Sequence, residues 1–199
     1  MSKRVEFFFD FGSPTTYLAY TQLPRIAAAR KAEIVWRPFL LGGVFKTINS
    51  ASPVTIPAKG RWMFDDMARW AKRYGVPFAM NPHFPVNTLA LMRGAAGLQL
   101  KRPQDLARYL ETMFTAMWVK PRNLNEPAEI AAVLKEGGFN PKEMIDLTAD
   151  QAVKDKLKAN TDEAVARGAF GAPTFFVGQD MFWGQDRLNF VAEALDAAA

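Results

Sequence analysis

The chain has 199 residues, no cysteine and a single histidine, His83. A disulfide framework, a thiol nucleophile and a Cys-x-x-Cys redox centre are therefore excluded, and a zinc site or Ser-His-Asp triad would have to include His83. The hydrophobic fraction of 49% is enough for a sizeable core. The net charge is +5, and its positive excess lies in the first half of the chain, which favours anionic ligands such as small carboxylates.

The order of charged and apolar residues argues against membranes and nucleic acids. Charges interrupt every apolar stretch before it reaches the length of a membrane span. The apolar residues after Arg4 are too few for the core of a signal peptide, so we expect a cytoplasmic protein. We expect no nucleic-acid partner, because no dense Lys/Arg stripe alternates with aromatic residues. We assign no metal site.

The start of the chain predicts a β-α-β unit. The apolar run over 4–11 is typical of a central strand that is covered on both faces. Pro14 opens a helix that we expect to extend to 32, since apolar residues recur at helical spacing. A second strand is predicted over 33–39, and the crossover between the strands should be right-handed.

The middle of the chain predicts helices. Residues 41–57 are rich in Gly, Pro, Ser and Asn and predict a loop. In the helix that follows, apolar side chains form one stripe, and Gly75 ends it. A proline-rich loop over 76–86 comes next. Four further helices are predicted at 87–101, 104–118, 127–136 and 141–148.

The end of the chain returns to alternating helix and strand. A charged amphipathic helix is predicted over 150–167. Two short apolar runs at 174–177 and 181–183 flank a tight turn and predict a hairpin. Gln185 and Asp186 then open a last helix.

This order of elements resembles the thioredoxin fold, an α/β fold, interrupted by an all-helical insertion. We therefore expect a discontinuous thioredoxin-like domain of residues 1–45 and 146–199, and a helical insertion domain of residues 46–145. Thioredoxin-like proteins normally carry a reactive cysteine at the tip of the first helix. In this chain, Ser13 stands at that position.

Ser13 is the first candidate functional residue. It falls at the predicted N-cap of the first helix, where its hydroxyl can accept a backbone hydrogen bond near the positive end of the helix dipole. A site of this kind stabilises an anion, and because the chain has no thiol, a ligand must supply that anion. An ordinary capping serine would give the same motif, so this motif alone does not distinguish an anion-binding serine from a serine that only caps the helix.

Two motifs near the end of the chain are further candidates. In the thioredoxin fold, a proline at the position of Pro173 follows a cis peptide bond and lies opposite the tip of the first helix. We expect the N–H and C=O of Ala172 to pair with an extended peptide ligand, whereas a trans proline at an edge strand is the alternative. The segment 183–186 offers free N–H groups for a carboxylate and the Asp186 side chain for an ammonium group, whereas plain helix capping is the alternative.

Two loops could contact a substrate. Lys46 follows the second strand closely and could pair with a substrate carboxylate, although a solvated lysine has the same pattern. Phe84 could stack on an aromatic substrate, although an aromatic between prolines often only packs its own loop. We assign no catalytic role to His83, since a lone histidine in a turn is more often structural.

Three ordered motifs together resemble the 2-hydroxychromene-2-carboxylate isomerase family. They are Phe9 to Pro14 followed by Tyr17-Leu18-Ala19, the segment 170–175 and the segment 183–188. The segment 69–77 is similar to that family as well. The family is related to kappa-class glutathione transferases and to DsbA-like proteins, which share a thioredoxin domain split by a helical insert.

The resemblance implies a glutathione-dependent isomerase in the bacterial breakdown of naphthalene-like aromatics. Such an enzyme interconverts 2-hydroxychromene-2-carboxylate and trans-o-hydroxybenzylidenepyruvate, a small aromatic carboxylate. Ser13 would be the catalytic residue and would hydrogen-bond the glutathione sulfur. The implied glutathione-binding residues are Ser13, Ala172, Trp183, Gly184, Gln185 and Asp186, and the implied substrate-binding residues are Lys46, Asn49 and Phe84. Relatives are often dimers, so a homodimer is among the expected assemblies.

Two positions depart from the family pattern, and two other functions fit the same residues. Phe84 stands where members close to the naphthalene enzyme carry a tyrosine, and Pro53-Val54 fall near an expected Asn-Arg pair. Both departures lie on the substrate side. The alternatives are a kappa-like glutathione transferase that releases a conjugate of a small electrophile, and a cysteine-less peptide-binding module on a thioredoxin scaffold.

Overall fold

A four-stranded sheet lies at the centre of the computed structural model, which describes residues 3–198. The strands are β1 (Arg4–Phe9), β2 (Glu33–Pro38), β3 (Thr174–Val177) and β4 (Asp180–Trp183). Their order is β2-β1-β3-β4. β1 pairs in parallel with β2 and antiparallel with β3, and β3 pairs antiparallel with β4. The sheet therefore brings the beginning and the end of the chain together at β1 and β3.

Helices account for most of the remaining chain. They are α1 (Pro14–Ala29), α2 (Leu41–Thr47), α3 (Pro57–Tyr74), α4 (Leu89–Lys101), α5 (Leu106–Trp118), α6 (Pro127–Glu136), α7 (Pro141–Ala149), α8 (Gln151–Ala166) and α9 (Leu188–Ala197). Short 3-10 turns occur at Pro53–Thr55, Pro103–Asp105 and Gln185–Arg187. Within residues 3–198, no helix has both the length and the apolar character that crossing a bilayer requires.

The side chains of β1 alternate between the two faces of the sheet, and they pack against neighbouring elements on both faces. Successive side chains of a strand point to opposite faces, so Phe7 and Phe9 share one face and Phe8 lies on the other. On the first face, the rings of Phe9 and Phe114 of α5 are 6.4 Å apart. On the second, Phe8 meets the edge of Phe176 at 5.6 Å. All three β1 phenylalanines are fully buried, which confirms the predicted central strand.

The thioredoxin-like fold with a helical insertion is confirmed. Between α2 and α8 the structure contains helices, turns and loops, and no residue from 46 to 145 lies in a strand. The expected boundaries of the insertion, at 45/46 and 145/146, fall inside α2 and α7. The division into a discontinuous domain and an insertion domain stays a prediction.

The predicted loop over 41–57 is wrong, because α2 occupies its first half. Gly42 and Gly43 lower the helix propensity of this segment, but tertiary contacts override them. The N–H of Leu41 donates to Asp10 Oδ2 at 2.8 Å, and Val44 is fully buried in the core on the Phe8 face. A short helix therefore forms where composition indicated a loop.

Several element ends also differ from prediction. β1 ends at Phe9 instead of residue 11, α1 ends at Ala29 instead of 32, and β4 begins at Asp180. The last helix does not begin at 185, since a 3-10 turn at Gln185–Arg187 precedes α9. These differences matter at only one place, the 3-10 turn, because it carries two predicted ligand-binding residues.

The helical insertion holds the turn between β1 and α1. Trp118, at the end of α5, donates its indole N–H to the Phe11 carbonyl at 2.7 Å. Within the turn, the Gly12 N–H donates to Asp10 Oδ1 at 2.9 Å and the Ser13 N–H to the Asp10 carbonyl at 3.1 Å. The turn that presents Ser13 is thus fixed from two sides.

Trp118→Phe tests this support. The change removes the hydrogen bond to Phe11 and leaves space in the core, so we expect the free energy of unfolding to fall by about 1–3 kcal/mol. Urea denaturation measures it. Trp62→Phe is the matched control, because Trp62 is 61% exposed, and it should change stability by less than about 0.5 kcal/mol. Equal losses in the two variants would contradict this role of Trp118.

Candidate ligand-binding site

Three oxygen atoms meet at the tip of α1. Ser13 is the N-cap, and its Oγ accepts a hydrogen bond from the Thr16 N–H at 3.2 Å. The Ser13 hydroxyl lies 3.0 Å from the Ala172 carbonyl oxygen, and the Thr15 hydroxyl lies at the same distance from that oxygen. Ser13 Oγ and Thr15 Oγ1 are 2.8 Å apart. The structure thus places Ser13 opposite the loop that precedes β3, as the sequence predicts.

The backbone of Ala172 has one engaged group and one free group. The Ala172–Pro173 peptide bond is cis, as predicted. The Ala172 carbonyl accepts from the hydroxyls of Ser13 and Thr15, whereas its N–H donates to no acceptor among residues 3–198. The carbonyl is thus already engaged within the protein, and the expected pairing of both groups with a peptide ligand stays a prediction. The N–H remains available to a ligand's carbonyl oxygen.

Trp183 and Gly184 are attached directly to the same loop. The Gly184 N–H donates to the Pro173 carbonyl at 3.1 Å. The indole of Trp183 lies so close to Gly171 that a Cβ there would be 2.5 Å from Nε1. The ring of Phe170 lies 4.9 Å from that of Trp183, and both side chains are nearly half exposed. The structure therefore brings Ser13, Ala172, Trp183 and Gly184 together around the loop that precedes β3.

Gln185 and Asp186 follow Gly184 in the chain and line a cavity of about 720 Å³, which Ser13 and Ala172 do not line. The Tyr74 hydroxyl donates to the Gln185 carbonyl at 2.9 Å, and both Tyr74 and Arg73 of α3 line the same cavity. Burial and the nearby Asp186 carboxylate raise the pKa of Tyr74 to about 12, so this phenol stays neutral at physiological pH. The Gln185 and Asp186 N–H groups donate to no acceptor within residues 3–198. Neither side chain caps a helix.

Asp10 joins three segments that surround Ser13. Its carboxylate accepts from the Gly12 N–H, from the Leu41 N–H at the start of α2 and from the Thr88 side chain beside α4. Burial raises the pKa of Asp10, while these three hydrogen bonds act in the opposite direction. In the sequence, Asp10 stands out only as a carboxylate inside an apolar run. Its role in joining the three segments depends on contacts with residues that are distant in the chain.

Phe84 lines a cavity of about 320 Å³ beside the turn that carries Ser13. Asp10, Gly12 and Phe45 line the same cavity. The Phe84 ring also packs against Trp118, at 5.9 Å between centroids. The loop-packing alternative thus holds for part of the Phe84 side chain, and the rest faces a space next to the candidate site.

Lys46 and Asn49 do not line that cavity. Lys46 faces a neighbouring cleft of about 500 Å³, together with Arg93 and Lys154. Asn49 follows α2, is exposed and has a positive φ of 53°. The structure therefore joins Ser13 to Ala172 and Gly184 to Pro173 by hydrogen bonds, and it places Lys46 and Phe84 at different cavities. His83 is exposed, and its backbone N–H donates to Asn81.

Two residues that contact the site were missed by sequence reasoning. Thr15 follows Pro14 and gave no signal beyond its position in the first turn of α1. Tyr74 lies on α3, and its hydroxyl donates to the Gln185 carbonyl. In the described part of the chain, no three His, Cys, Asp or Glu side chains cluster in a way that could hold a metal ion.

Comparisons with known proteins agree on one family. The model of the DSBA-like thioredoxin domain matches residues 4–196. A 2-hydroxychromene-2-carboxylate isomerase from Sphingobium xenophagum is 28% identical over 98% of this chain and 99% of its own length. Glutathione S-transferase kappa 2 from Caenorhabditis elegans is 32% identical, over 97% of this chain and 92% of its own. A solved 2-hydroxychromene-2-carboxylate isomerase structure superposes with a TM-score of 0.85 at 26% identity, covering 98% of this chain and 95% of the other.

Gly184→Ala tests the geometry of the site's edge. Gly184 has a φ of 103° and a ψ of 150°, and a Cβ there would lie 2.5 Å from Asp186 Oδ1. Only glycine adopts such a backbone readily, so we expect thermal or urea unfolding to show a loss of about 2–3 kcal/mol. Gly178→Ala is the control. Its φ is 60° with open space around it, and the cost should be nearer 1 kcal/mol, about that of a left-handed residue. A Gly184 variant no less stable than the control would refute this geometry.

Proposed function

The chain belongs to the DSBA-like thioredoxin family, and on that premise we propose that it is a glutathione-dependent isomerase. Its proposed reaction interconverts 2-hydroxychromene-2-carboxylate and trans-o-hydroxybenzylidenepyruvate in the cytoplasmic breakdown of naphthalene-like aromatics. One observation carries the proposal: a buried serine hydroxyl caps α1 beside Ala172, in a chain without cysteine. Relatives named for this isomerase, aligned over almost the whole chain, support it.

The groups around Ser13 match the chemistry of glutathione. The hydroxyl of Ser13 and the N-terminus of α1 suit a sulfur anion. The free N–H of Ala172 suits a peptide carbonyl of the ligand, as in strand addition. The unpaired N–H groups of Gln185 and Asp186 suit the α-carboxylate of the γ-glutamyl end, and the Asp186 carboxylate suits its ammonium group. We propose that Trp183 and Gly184 form the surface between these two ends.

In this proposal, Ser13 stabilises the charged form of a thiol. Bound glutathione would supply a thiolate, which can add to a conjugated double bond and leave again after rotation about the resulting single bond. By donating a hydrogen bond from its hydroxyl to the sulfur, Ser13 lowers the thiol pKa, and the α1 dipole acts in the same direction. A cysteine at this position can exchange with oxidised glutathione to form a mixed disulfide, releasing one molecule of reduced glutathione, whereas a serine cannot. A serine therefore suits an isomerisation without net redox change.

The substrate side of the proposal uses the cavity beside Gly12. Its volume of about 320 Å³ is near the lower end of the range for small-molecule sites, about 300–1,000 Å³. We propose that the aromatic ring packs against Phe84 in this cavity. Lys46 and Asn49, at the end of α2, are the proposed partners of the substrate carboxylate. Because Lys46 faces the neighbouring cleft, this contact requires its exposed side chain to rotate.

A kappa-like glutathione transferase is the second candidate. The relative with the higher identity among those compared above carries that name, and the same glutathione contacts would serve it. The two functions differ in what leaves the enzyme: an isomer of the substrate, or a thioether of glutathione.

Ser13→Ala tests the role of the hydroxyl. We expect turnover with glutathione and 2-hydroxychromene-2-carboxylate to fall by about 10²–10³-fold, the usual effect of removing one transition-state hydrogen bond. Stopped-flow or steady-state absorbance measures it. Ser50→Ala, at an exposed position, should keep the wild-type rate. A Ser13 variant with near wild-type turnover would remove Ser13 from the mechanism.

The mass of the product tests the reaction type. With glutathione present, 2-hydroxychromene-2-carboxylate should yield a product of unchanged mass, and without glutathione no conversion should occur. Incubation with chlorodinitrobenzene and glutathione tests for transferase activity, because a transferase would release a thioether of higher mass than the electrophile. Mass spectrometry separates the two outcomes, and a stable conjugate without isomerisation would favour the kappa-like transferase.

A further inference from the structure

The three oxygens at the tip of α1 share only two protons. Ser13 Oγ, Thr15 Oγ1 and the Ala172 carbonyl oxygen are separated by 2.8, 3.0 and 3.0 Å. Each hydroxyl contributes one proton and the carbonyl contributes none. At most two of the three contacts can therefore be hydrogen bonds at one time. In the described residues, the carbonyl receives hydrogen bonds from these two hydroxyls alone.

Ser13 cannot bond the carbonyl and a ligand's sulfur with the same proton. When its hydroxyl turns toward a sulfur anion, the Ala172 carbonyl loses that donor. Ala172 is 8% exposed, and a buried carbonyl without a donor is unfavourable by an amount comparable to a net hydrogen bond. Without a second donor, this loss would oppose the rotation of Ser13 and weaken thiolate binding.

Thr15 supplies the second donor without needing to move. Its hydroxyl already lies 3.0 Å from the carbonyl oxygen, on the more exposed side of Ser13. The Thr16 N–H continues to hold Ser13 Oγ in place at 3.2 Å whichever way the proton points. The Ser13 proton is thus free to turn while its oxygen stays fixed.

We propose that Thr15 is a positioning residue: its hydroxyl keeps the hydrogen bond to the Ala172 carbonyl, so that the Ser13 hydroxyl can donate a hydrogen bond to the sulfur anion. This inference rests on the proposed glutathione function, but its structural part does not. In the free protein, the two hydroxyls share one acceptor, and each can serve it when the other is lost.

Chemical denaturation of the free protein tests the shared acceptor. Thr15→Val should lower the urea midpoint slightly and Ser13→Ala by more, because Ser13 also caps α1. In each single variant, one hydroxyl still serves the carbonyl. The double variant should lower the midpoint by more than the two single shifts together, since the carbonyl then has no donor. Shifts that add within error would overturn the inference, whatever the protein binds.

A titration of bound glutathione tests the functional part. Ultraviolet absorbance reports the thiolate as pH is raised, and wild type should show a thiol pKa below that of free glutathione. Thr15→Val should raise the pKa of the bound thiol by about 0.5–1 unit, corresponding to the loss of about half to one net hydrogen bond. Thr15→Ser keeps a hydroxyl and should match wild type. Thr21→Val is the control, because its hydroxyl serves the Leu18 carbonyl in the same helix.

The outcomes distinguish a failure of the proposed role of Thr15 from a failure of the proposed function. A raised thiol pKa in Ser13→Ala with a wild-type pKa in Thr15→Val would overturn the role of Thr15 and leave the proposed function standing. Wild-type protein that fails to bind glutathione, or a Ser13→Ala variant with an unchanged thiol pKa, would overturn the proposed function. It would also overturn the role of Thr15 toward sulfur.

Discussion

A hydrogen bond between Ser13 Oγ and the Ala172 carbonyl, 3.0 Å long, joins two parts of the chain that are 159 residues apart. The antiparallel pairing of β1 with β3 makes this contact possible, because it aligns the end of β1 with the start of β3. α1 begins directly after β1, and the Ala172–Pro173 loop directly precedes β3. The candidate site therefore follows from the pairing of β1 with β3.

The helical insertion contributes two hydrogen bonds that position the backbone of the candidate site. From α5, Trp118 holds the carbonyl of Phe11 in the turn before Ser13. From α3, Tyr74 holds the carbonyl of Gln185, beside the cavity of about 720 Å³. Both bonds run from a side chain of the insertion to the backbone of the thioredoxin-like part, so they fix main-chain positions that composition alone does not. A change in either helix should therefore shift main-chain atoms of the candidate site.

The approach of Ser13 to Ala172 was predicted from the resemblance to the thioredoxin fold. Sequence patterns predicted the strands and most helices, because these follow from local apolar periodicity and from Pro14. They did not predict α2, since its stability comes from the Asp10 carboxylate and a buried Val44 and not from its glycine-rich sequence. The occupied Ala172 carbonyl was missed because it depends on the orientation of the Ser13 and Thr15 hydroxyls. The separation of Lys46 from Phe84 was missed because it depends on which way a helix is turned.

A crystal structure of the protein with bound glutathione tests the central claim most directly. The account predicts the glutathione sulfur within hydrogen-bond distance of Ser13 Oγ, a ligand carbonyl on the Ala172 N–H, and the Thr15 hydroxyl still on the Ala172 carbonyl. A ligand bound elsewhere, with the Ser13 hydroxyl still directed at that carbonyl, would contradict it.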